Sequence, residues 1–171
     1  DVAVAGNGNN IDFFFNNISL PGTLTSIAPF VLPGGVNPSD IIAMDLDLDG
    51  NMDVATSNSG GASVSVIFGD GVGGFSLGGT YAADLGTSGI SSGFFNNDIY
   101  PDIAVTNENA NTITVFINDG TGSLSTGISY SAGAKPLSID ILDFNNDGKI
   151  DLAAINADDN TISLYEGNSD G

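Results

Sequence analysis

The feature that most constrains this chain is an internal repeat with a period of 49 residues. Asp53-Val-Ala, Asp102-Ile-Ala and Asp151-Leu-Ala stand at that constant separation, and each closes a stretch rich in Asp and Asn. Asp1-Val-Ala is a fourth copy, 52 residues before Asp53. Periods of roughly 20–50 residues are typical of solenoids and propellers, whose units bury their apolar faces only against neighbouring units. The sequence therefore predicts a repeat protein.

Each repeat carries the pattern of four short β-strands. A brief apolar strand follows the Asp, and after an Asn-rich turn comes a strand of alternating apolar and polar residues, clearest at 112–117 and 161–165. A hairpin with Asp-Gly, which supplies the positive φ of tight turns, leads to a weaker outer strand such as 127–131. An apolar run such as 136–142 then precedes the next loop. The first repeat has extra residues at 20–38, which are predicted to form a longer loop.

Four strands in one such period are the content of a propeller blade. We therefore predict an all-β fold of about 3.5 propeller-type blades, each of four antiparallel strands, within a larger propeller of roughly four to eight blades. The repeat units are 1–52, 53–101, 102–150 and a partial unit, 151–171. Because the first unit opens on the last Asp of a loop and the last unit stops in a Gly-rich hairpin, we expect one segment of a longer protein, truncated at both ends.

The charge balance restricts the partners. The chain has 21 acidic and 2 basic residues, a formal net charge of −19, and its only glutamates are Glu108 and Glu166. Nothing in it could neutralise phosphates, which argues against nucleic acid and anionic membrane surfaces. No apolar run is long enough for membrane insertion. The absence of Cys and His excludes thiolate nucleophiles, His-based zinc sites and the usual Ser-His triad.

Two of the Asx-rich loops have the spacing D-x-D-x-D-G-x-x-D, which suits Ca²⁺. This ion takes about six to eight oxygen ligands, and alternate residues of a tight turn can point their side chains at one centre. The predicted ligands of the first loop are Asp45, Asp47, Asp49, the Asn51 backbone carbonyl and Asp53. Those of the other loop are Asp143, Asn145, Asp147, the Lys149 backbone carbonyl and Asp151. Neither loop is an EF-hand, because the twelfth position is Thr56 in one and Ala154 in the other.

The loop at 94–102 departs from this pattern. Phe94 replaces the first Asp and Ile99 replaces the Gly. The weak or degenerate ligand candidates are Asn96, Asp98, Asp102 and, as the remnant of a further loop, Asp1. Each of these Asp residues could instead be a turn former without a metal. Two complete copies in register with the 49-residue repeat favour calcium for the complete loops.

The string Asp143-Phe-Asn-Asn-Asp-Gly-Lys-Ile-Asp-Leu-Ala, with Asn160-Thr-Ile-Ser-Leu downstream, resembles the FG-GAP/VCBS repeats of bacterial surface proteins and integrin α-subunit propellers. The resemblance covers essentially the whole chain. It implies that each loop joins the innermost strand of a blade to the second strand. It also implies a closed propeller, often of about seven blades, in which Ca²⁺ is structural.

Three functions are compatible with this pattern. The first is an extracellular calcium-stabilised module for adhesion, recognition or surface assembly with a protein or glycan ligand, since such loops fill at millimolar extracellular calcium. The second is a subunit of an extracellular filament or sheath that self-associates through open blade edges. The third is a non-catalytic domain of a secreted polysaccharide-active enzyme. No catalytic activity is predicted, because Asp140, Asp158 and Asp159 form no recognisable pair of glycosidase carboxylates.

Two local motifs have simpler interpretations. The aromatic run Phe13-Phe-Phe15 is predicted to face packed blades, with a ligand-stacking platform as the alternative. Asn17-Ile18-Ser19 matches a glycosylation sequon, a triplet that an Asn-rich chain also contains by chance.

Overall fold

The computed structural model describes residues 1–6, 8–16, 19–34 and 36–168, which form strands, bridges, turns and bends. Asn17 and Ile18 of the sequon lie outside the described residues. None of the described residues belongs to a helix with the length and apolar content of a membrane span.

Fifteen strands of the described chain form four antiparallel sheets, each built from consecutive strands. The first sheet contains β1 Val2–Ala5, β2 Asn10–Asn16, β3 Leu24–Ser26 and β4 Phe30–Val31. The second contains β5 Pro38–Met44, β6 Asp53–Asn58, β7 Ser63–Gly69 and β8 Phe75–Ala82. The third contains β9 Thr87–Gly93, β10 Asp102–Asn107, β11 Thr112–Phe116 and β12 Ile128–Ser131. The fourth contains β13 Pro136–Leu142, β14 Asp151–Asn156 and β15 Thr161–Tyr165.

The predicted all-β fold of propeller-type blades is confirmed. In the second and third sheets the four strands lie side by side in chain order, as in a propeller blade. The first strands of three sheets begin at Pro38, Thr87 and Pro136, so they keep the 49-residue period. Among the described residues the four sheets do not close into a ring.

The segment at 20–38 is not only a loop, which corrects the prediction from the sequence. It contains β3 and β4, and both pair with the same edge of β2. β3 pairs with Phe14–Asn16 and β4 with Asn10–Ile11, so together they occupy one strand position. The N–H and C=O groups along β2 need hydrogen-bond partners on both sides, and β3 and β4 provide them on one side.

The apolar core lies between successive sheets. β1 contacts β5, β5 contacts β9 and β9 contacts β13. The cluster between the second and third sheets includes Val64, Val66, Ile103 and Phe116. Between the first and second sheets, Phe13 stacks on Phe75 with ring centroids 3.8 Å apart, which places this part of the aromatic run between blades as predicted. Each sheet thus buries its apolar residues against the next sheet, as the repeat required.

Each Asx-rich loop joins the first strand of a sheet to the second. The loops follow β5, β9 and β13 and lead into β6, β10 and β14. Because the three sheets are equivalent, the fold places these loops at corresponding ends of neighbouring sheets.

Candidate metal centre

The loop at 45–53 brings its first three acidic residues together. Asp45, Asp47 and Asp49 each offer a carboxylate oxygen, and these oxygens all lie within 4.8 Å of one another. The Asp49 backbone N–H donates to Oδ1 of Asp45 and Oδ1 of Asp47, both at 3.1 Å. The turn needs positive φ at Leu48 (57°) and Gly50 (91°), which explains the glycine. Three of the predicted ligands therefore converge.

The loop at 143–151 folds in the same way. The Asp147 backbone N–H donates to Oδ1 of Asp143 at 3.1 Å and to Oδ1 of Asn145 at 2.8 Å. The same two positions have positive φ, at Asn146 (59°) and Gly148 (85°). Asn145 stands where the first loop has Asp47, so this loop carries one carboxylate fewer.

The seventh position of both loops is held through its backbone N–H. The N–H of Asn51 donates to Oδ1 of Asp49 at 2.7 Å, and that of Lys149 donates to Oδ1 of Asp147 at 2.9 Å. These bonds hold the carboxylate at loop position 5 next to the residue at position 7. The carbonyls of Asn51 and Lys149 stay predicted ligands.

The last Asp of each loop, called the closing Asp below, accepts two backbone hydrogen bonds. Oδ2 of Asp53 accepts the backbone N–H of Leu46 at 2.8 Å, and its Oδ1 accepts that of Gly69 at 3.0 Å. Asp151 accepts the N–H of Phe144 at 3.2 Å and that of Gly167 at 2.8 Å. The closing Asp thus ties its own loop to the hairpin that follows the third strand.

Asp102 has the same role in the degenerate loop. It accepts the backbone N–H of Phe95 at 2.9 Å and that of Asn118 at 2.8 Å. In the first repeat, Oδ1 of Asp1 accepts the N–H of Asn16 at 2.7 Å. This structural role was missed from the sequence, although the Asp that persists in an incomplete loop was a signal for it.

Burial raises the pKa of the closing Asp in two sheets. For Asp53 and for Asp102 the largest cause is desolvation of the carboxylate, which the two backbone N–H donors oppose. The nearby negative charges of Asp47 and Asp49 raise the pKa of Asp53 further, and Asp98 does the same for Asp102. A cation at the first loop would reverse this effect, because it would stabilise the charged form.

The loop at 94–102 differs from the complete loops in side chains and backbone. The Asp98 N–H donates to Oδ1 of Asn96 at 3.0 Å, as in the complete loops. However, Phe94 brings no carboxylate, and Asn97 and Ile99, both described, do not adopt the positive φ of their counterparts. Asn96, Asp98 and Asp102 therefore form an Asx turn and a hydrogen-bond centre.

The donor set of the complete loops fits calcium. It consists of carboxylate, amide and carbonyl oxygens, which are the ligands of a hard cation, and the loops contain no His or Cys. Carboxylates this close repel one another, and the repulsion is removed when a divalent cation binds between them. The residues that would hold the ion are those that the spacing predicted. Asp53 and Asp151 would do so in addition to their hydrogen bonds.

The repeated sheets and their Asx-rich loops define a protein of propeller-type β-repeats. Residues 1–56 and 95–154 match the family model of the FG-GAP-like repeat. The matches span more than half of the chain, which therefore belongs to the FG-GAP-like repeat family. No curated protein matches the chain.

Membership has general consequences. Repeats of this family are generally non-catalytic, commonly bind calcium and typically occur in extracellular or surface proteins. The closer likeness to VCBS repeats and integrin propellers stays a resemblance.

Proposed function

We propose that this chain is an extracellular, calcium-stabilised β-propeller module that serves adhesion, recognition or assembly at a cell surface. The observation that carries the proposal is the convergence of Asp45, Asp47 and Asp49 within 4.8 Å. The loop at 143–151 supports it, because it repeats the same hydrogen bonds. Both loops join the first two strands of a sheet, so a bound ion would brace the fold itself.

Calcium would supply positive charge where the fold concentrates negative charge. In the first loop, Asp45, Asp47, Asp49 and Asp53 are carboxylates within nine residues. Their mutual repulsion favours an open loop in the apo protein, whereas millimolar calcium outside the cell would close it. The compartment is thus part of the proposal, since sites of this class are weak enough to need extracellular calcium.

The proposed ligand of the module is a protein or a glycan. With a net charge of −19 the surface repels polyanions, so the ligand is expected to be neutral or basic. Binding to a glycan array in calcium and in EDTA would test recognition of sugars. Calcium-dependent binding to neutral glycans would also suit a carbohydrate-directed domain of a larger secreted enzyme.

The calcium sites can be counted by calorimetry on the whole chain. We expect two sites in the wild type, one in Asp49→Ala and one in Asp147→Ala. Asp98→Ala is the matched control, because Asp98 occupies the same position in the degenerate loop and should leave both sites intact. A wild type that binds no calcium at millimolar concentration would contradict the proposal.

Self-assembly is a second candidate function, favoured by exposed apolar side chains on the first and last sheets. Ile162 and Leu164 of β15 are 64% and 61% exposed, and Val2 and Val4 of β1 are 46% and 42% exposed. Sheet faces and edges of this kind promote association. Light scattering should then show assembly in calcium, and Leu164→Asp should reduce it. A calcium-loaded monomer would leave adhesion or recognition as the function.

A further inference from the structure

Asn118 begins the hairpin of the third sheet, at a position where the second and fourth sheets have glycine. Its counterparts at the repeat spacing are Gly69 and Gly167. A Cβ at Gly69 would collide with the carbonyl oxygen of Met52, and one at Gly167 with that of Ile150. Glycine is therefore required where the hairpin rests directly on its own loop, and the third sheet solves this contact differently.

The Asn118 side chain is almost completely buried, with 1% of its surface exposed, and all its polar atoms have partners. Nδ2 donates to the carbonyl of Pro101 at 3.1 Å, the counterpart of the Met52 carbonyl. Nδ2 also donates to the carbonyl of Leu46 at 2.8 Å, and Oδ1 accepts the N–H of Gly120 at 3.0 Å. The amide thus joins two neighbouring sheets.

Leu46 is the residue between the first two converging carboxylates. Its side chain is buried, and its backbone N–H donates to Oδ2 of Asp53 at 2.8 Å. The hydrogen bond from Asn118 to the Leu46 carbonyl therefore holds the other backbone polar group of Leu46. The hairpin also approaches the loop at Gly122, whose Cβ would lie 3.5 Å from Cβ of Asp47. The third sheet thus bonds to the loop at Leu46 and leaves little space beside Asp47.

We propose that Asn118 is a positioning residue for calcium in the loop at 45–53, and that it links occupancy of this loop to the packing of the third sheet on the second. The inference rests on the proposed function of the loop. Holding Leu46 from both sides orders the backbone from which Asp45 and Asp47 project. Less ordering is then left to be done when the ion binds, which raises the affinity. Outer partners of this kind typically change metal affinity by about 10- to 100-fold.

The loop at 143–151 provides an internal comparison. In it Phe144 takes the place of Leu46, and its side chain is only half-buried. The side-chain hydrogen bonds of Asn118 go to Leu46, Pro101 and Gly120, and none of these residues belongs to the loop at 143–151. A substitution at Asn118 should therefore affect one loop and leave the other unchanged.

The test uses the whole chain with one site at a time. In the Asp147→Ala background only the loop at 45–53 remains, and adding Asn118→Gly should weaken calcium binding by about tenfold in calorimetry. In the Asp49→Ala background, where only the loop at 143–151 remains, the same substitution should leave the affinity unchanged. Thr121→Ala is the hairpin control, because the Thr121 hydroxyl donates to Asp119 within the hairpin. It should change neither affinity.

Nuclear magnetic resonance gives a second readout that needs no substitution at Asn118. Calcium added to Asp147→Ala should shift the side-chain amide signals of Asn118, whereas calcium added to Asp49→Ala should not. Unchanged signals in the first case, or an Asn118→Gly affinity within about twofold of its parent, would overturn the inference while the calcium site stands. If the Asp147→Ala parent binds no calcium, the proposed function of that loop fails and the inference fails with it.

Discussion

The loops at 45–53 and 94–102 occupy the same place in neighbouring sheets, yet only the first gathers three carboxylates. Asp53 and Asp102 are both buried, and each accepts two backbone N–H groups from equivalent positions. The strand register is also the same, because Asp53 pairs with Met44 and Asp102 pairs with Gly93. The closing Asp therefore belongs to the architecture of the sheet, with or without a metal.

The other positions differ between the two loops. The degenerate loop has Phe94 for the first Asp, and this side chain is 51% exposed. Its backbone also lacks the positive φ at the position of Gly50. A loop can thus lose the converging carboxylates and keep its sheet. The sheet therefore depends on the closing Asp and not on the carboxylates that converge earlier in the loop.

The largest effect is expected when the closing Asp of the degenerate loop at 94–102 is removed. Asp102→Ala leaves two buried N–H groups without acceptors, each costing about 1–3 kcal/mol, so the free energy of unfolding should fall by roughly 2–6 kcal/mol. Urea unfolding in calcium and in EDTA should give the same loss. Asp98→Ala, in the same loop but exposed, should cost much less. A small loss for Asp102→Ala would show that the sheet does not depend on this residue.

Removing calcium from one complete loop should have the next largest effect. A ligand that binds only the folded protein at a hundredfold excess over its Kd adds about 2.7 kcal/mol per site. EDTA should therefore lower the Tm of the wild type, and Asp49→Ala should reproduce part of that loss. Asn96→Ala should leave the calcium-dependent part of the Tm unchanged. Identical melting curves with calcium and EDTA would mean that the loops are ordinary turns.

The same comparison between equivalent positions predicts a stabilising substitution in the fourth sheet. Oδ1 of Asn156 is buried and, within the described part of the chain, has no hydrogen-bond partner. In the second sheet the equivalent Asn58 Oδ1 accepts the hydroxyl of Thr56 at 3.0 Å, but the position of that Thr is Ala154 in the fourth sheet. Ala154→Thr should supply the missing donor and raise the free energy of unfolding by about 1 kcal/mol.

Its control is Ala154→Val, which adds similar volume without a hydroxyl. The third sheet already has Val105 at this position. Chemical denaturation of both variants separates hydrogen bonding from packing. Equal stability of the two variants would contradict the hydrogen-bond explanation.

The smallest effect is expected in the pH dependence of the calcium-free protein. Burial raises the pKa of Asp102 above the ordinary value of 3.8, so the folded state binds a proton more readily than the unfolded chain. As the pH falls from neutral through the raised pKa towards 3.8, this residue should therefore make the protein more stable. Denaturation in EDTA across this pH range tests this. As the pH falls, the free energy of unfolding of Asp102→Asn should rise less, or fall more steeply, than that of the wild type.

Asp70 should act with the opposite sign. The backbone N–H groups of Val72 and Gly74 lower the pKa of this exposed carboxylate, so its contribution to stability is lost only as the pH falls below 3.8. Asp70→Asn should therefore be less stable than the wild type by a constant amount above that value, and the difference should shrink as the pH falls below it. If Asp102→Asn leaves the dependence of stability on pH unchanged, the buried carboxylate of Asp102 does not titrate in this range.

Much of this fold follows from local sequence patterns. β13 and β15 have the bounds that the sequence pattern predicted, and the 49-residue period fixed which strands are equivalent. The converging carboxylates of Asp45, Asp47 and Asp49 were also predicted, because ligands two residues apart in a tight turn depend on local geometry. Strand periodicity and turn chemistry depend on a few neighbouring residues, so they can be predicted from the sequence alone.

Tertiary structure decided the features that depend on distant neighbours. The pairing of β3 and β4 with β2 could not be read from residues 20–38 alone, because it depends on the edge that β2 leaves open. The burial that raises the pKa of Asp53 and Asp102 comes from packing around the loops. The bond from Asn118 to the Leu46 carbonyl joins residues 72 positions apart. The sequence contains both partners, but only the docking of one sheet on the next brings a buried amide to that carbonyl.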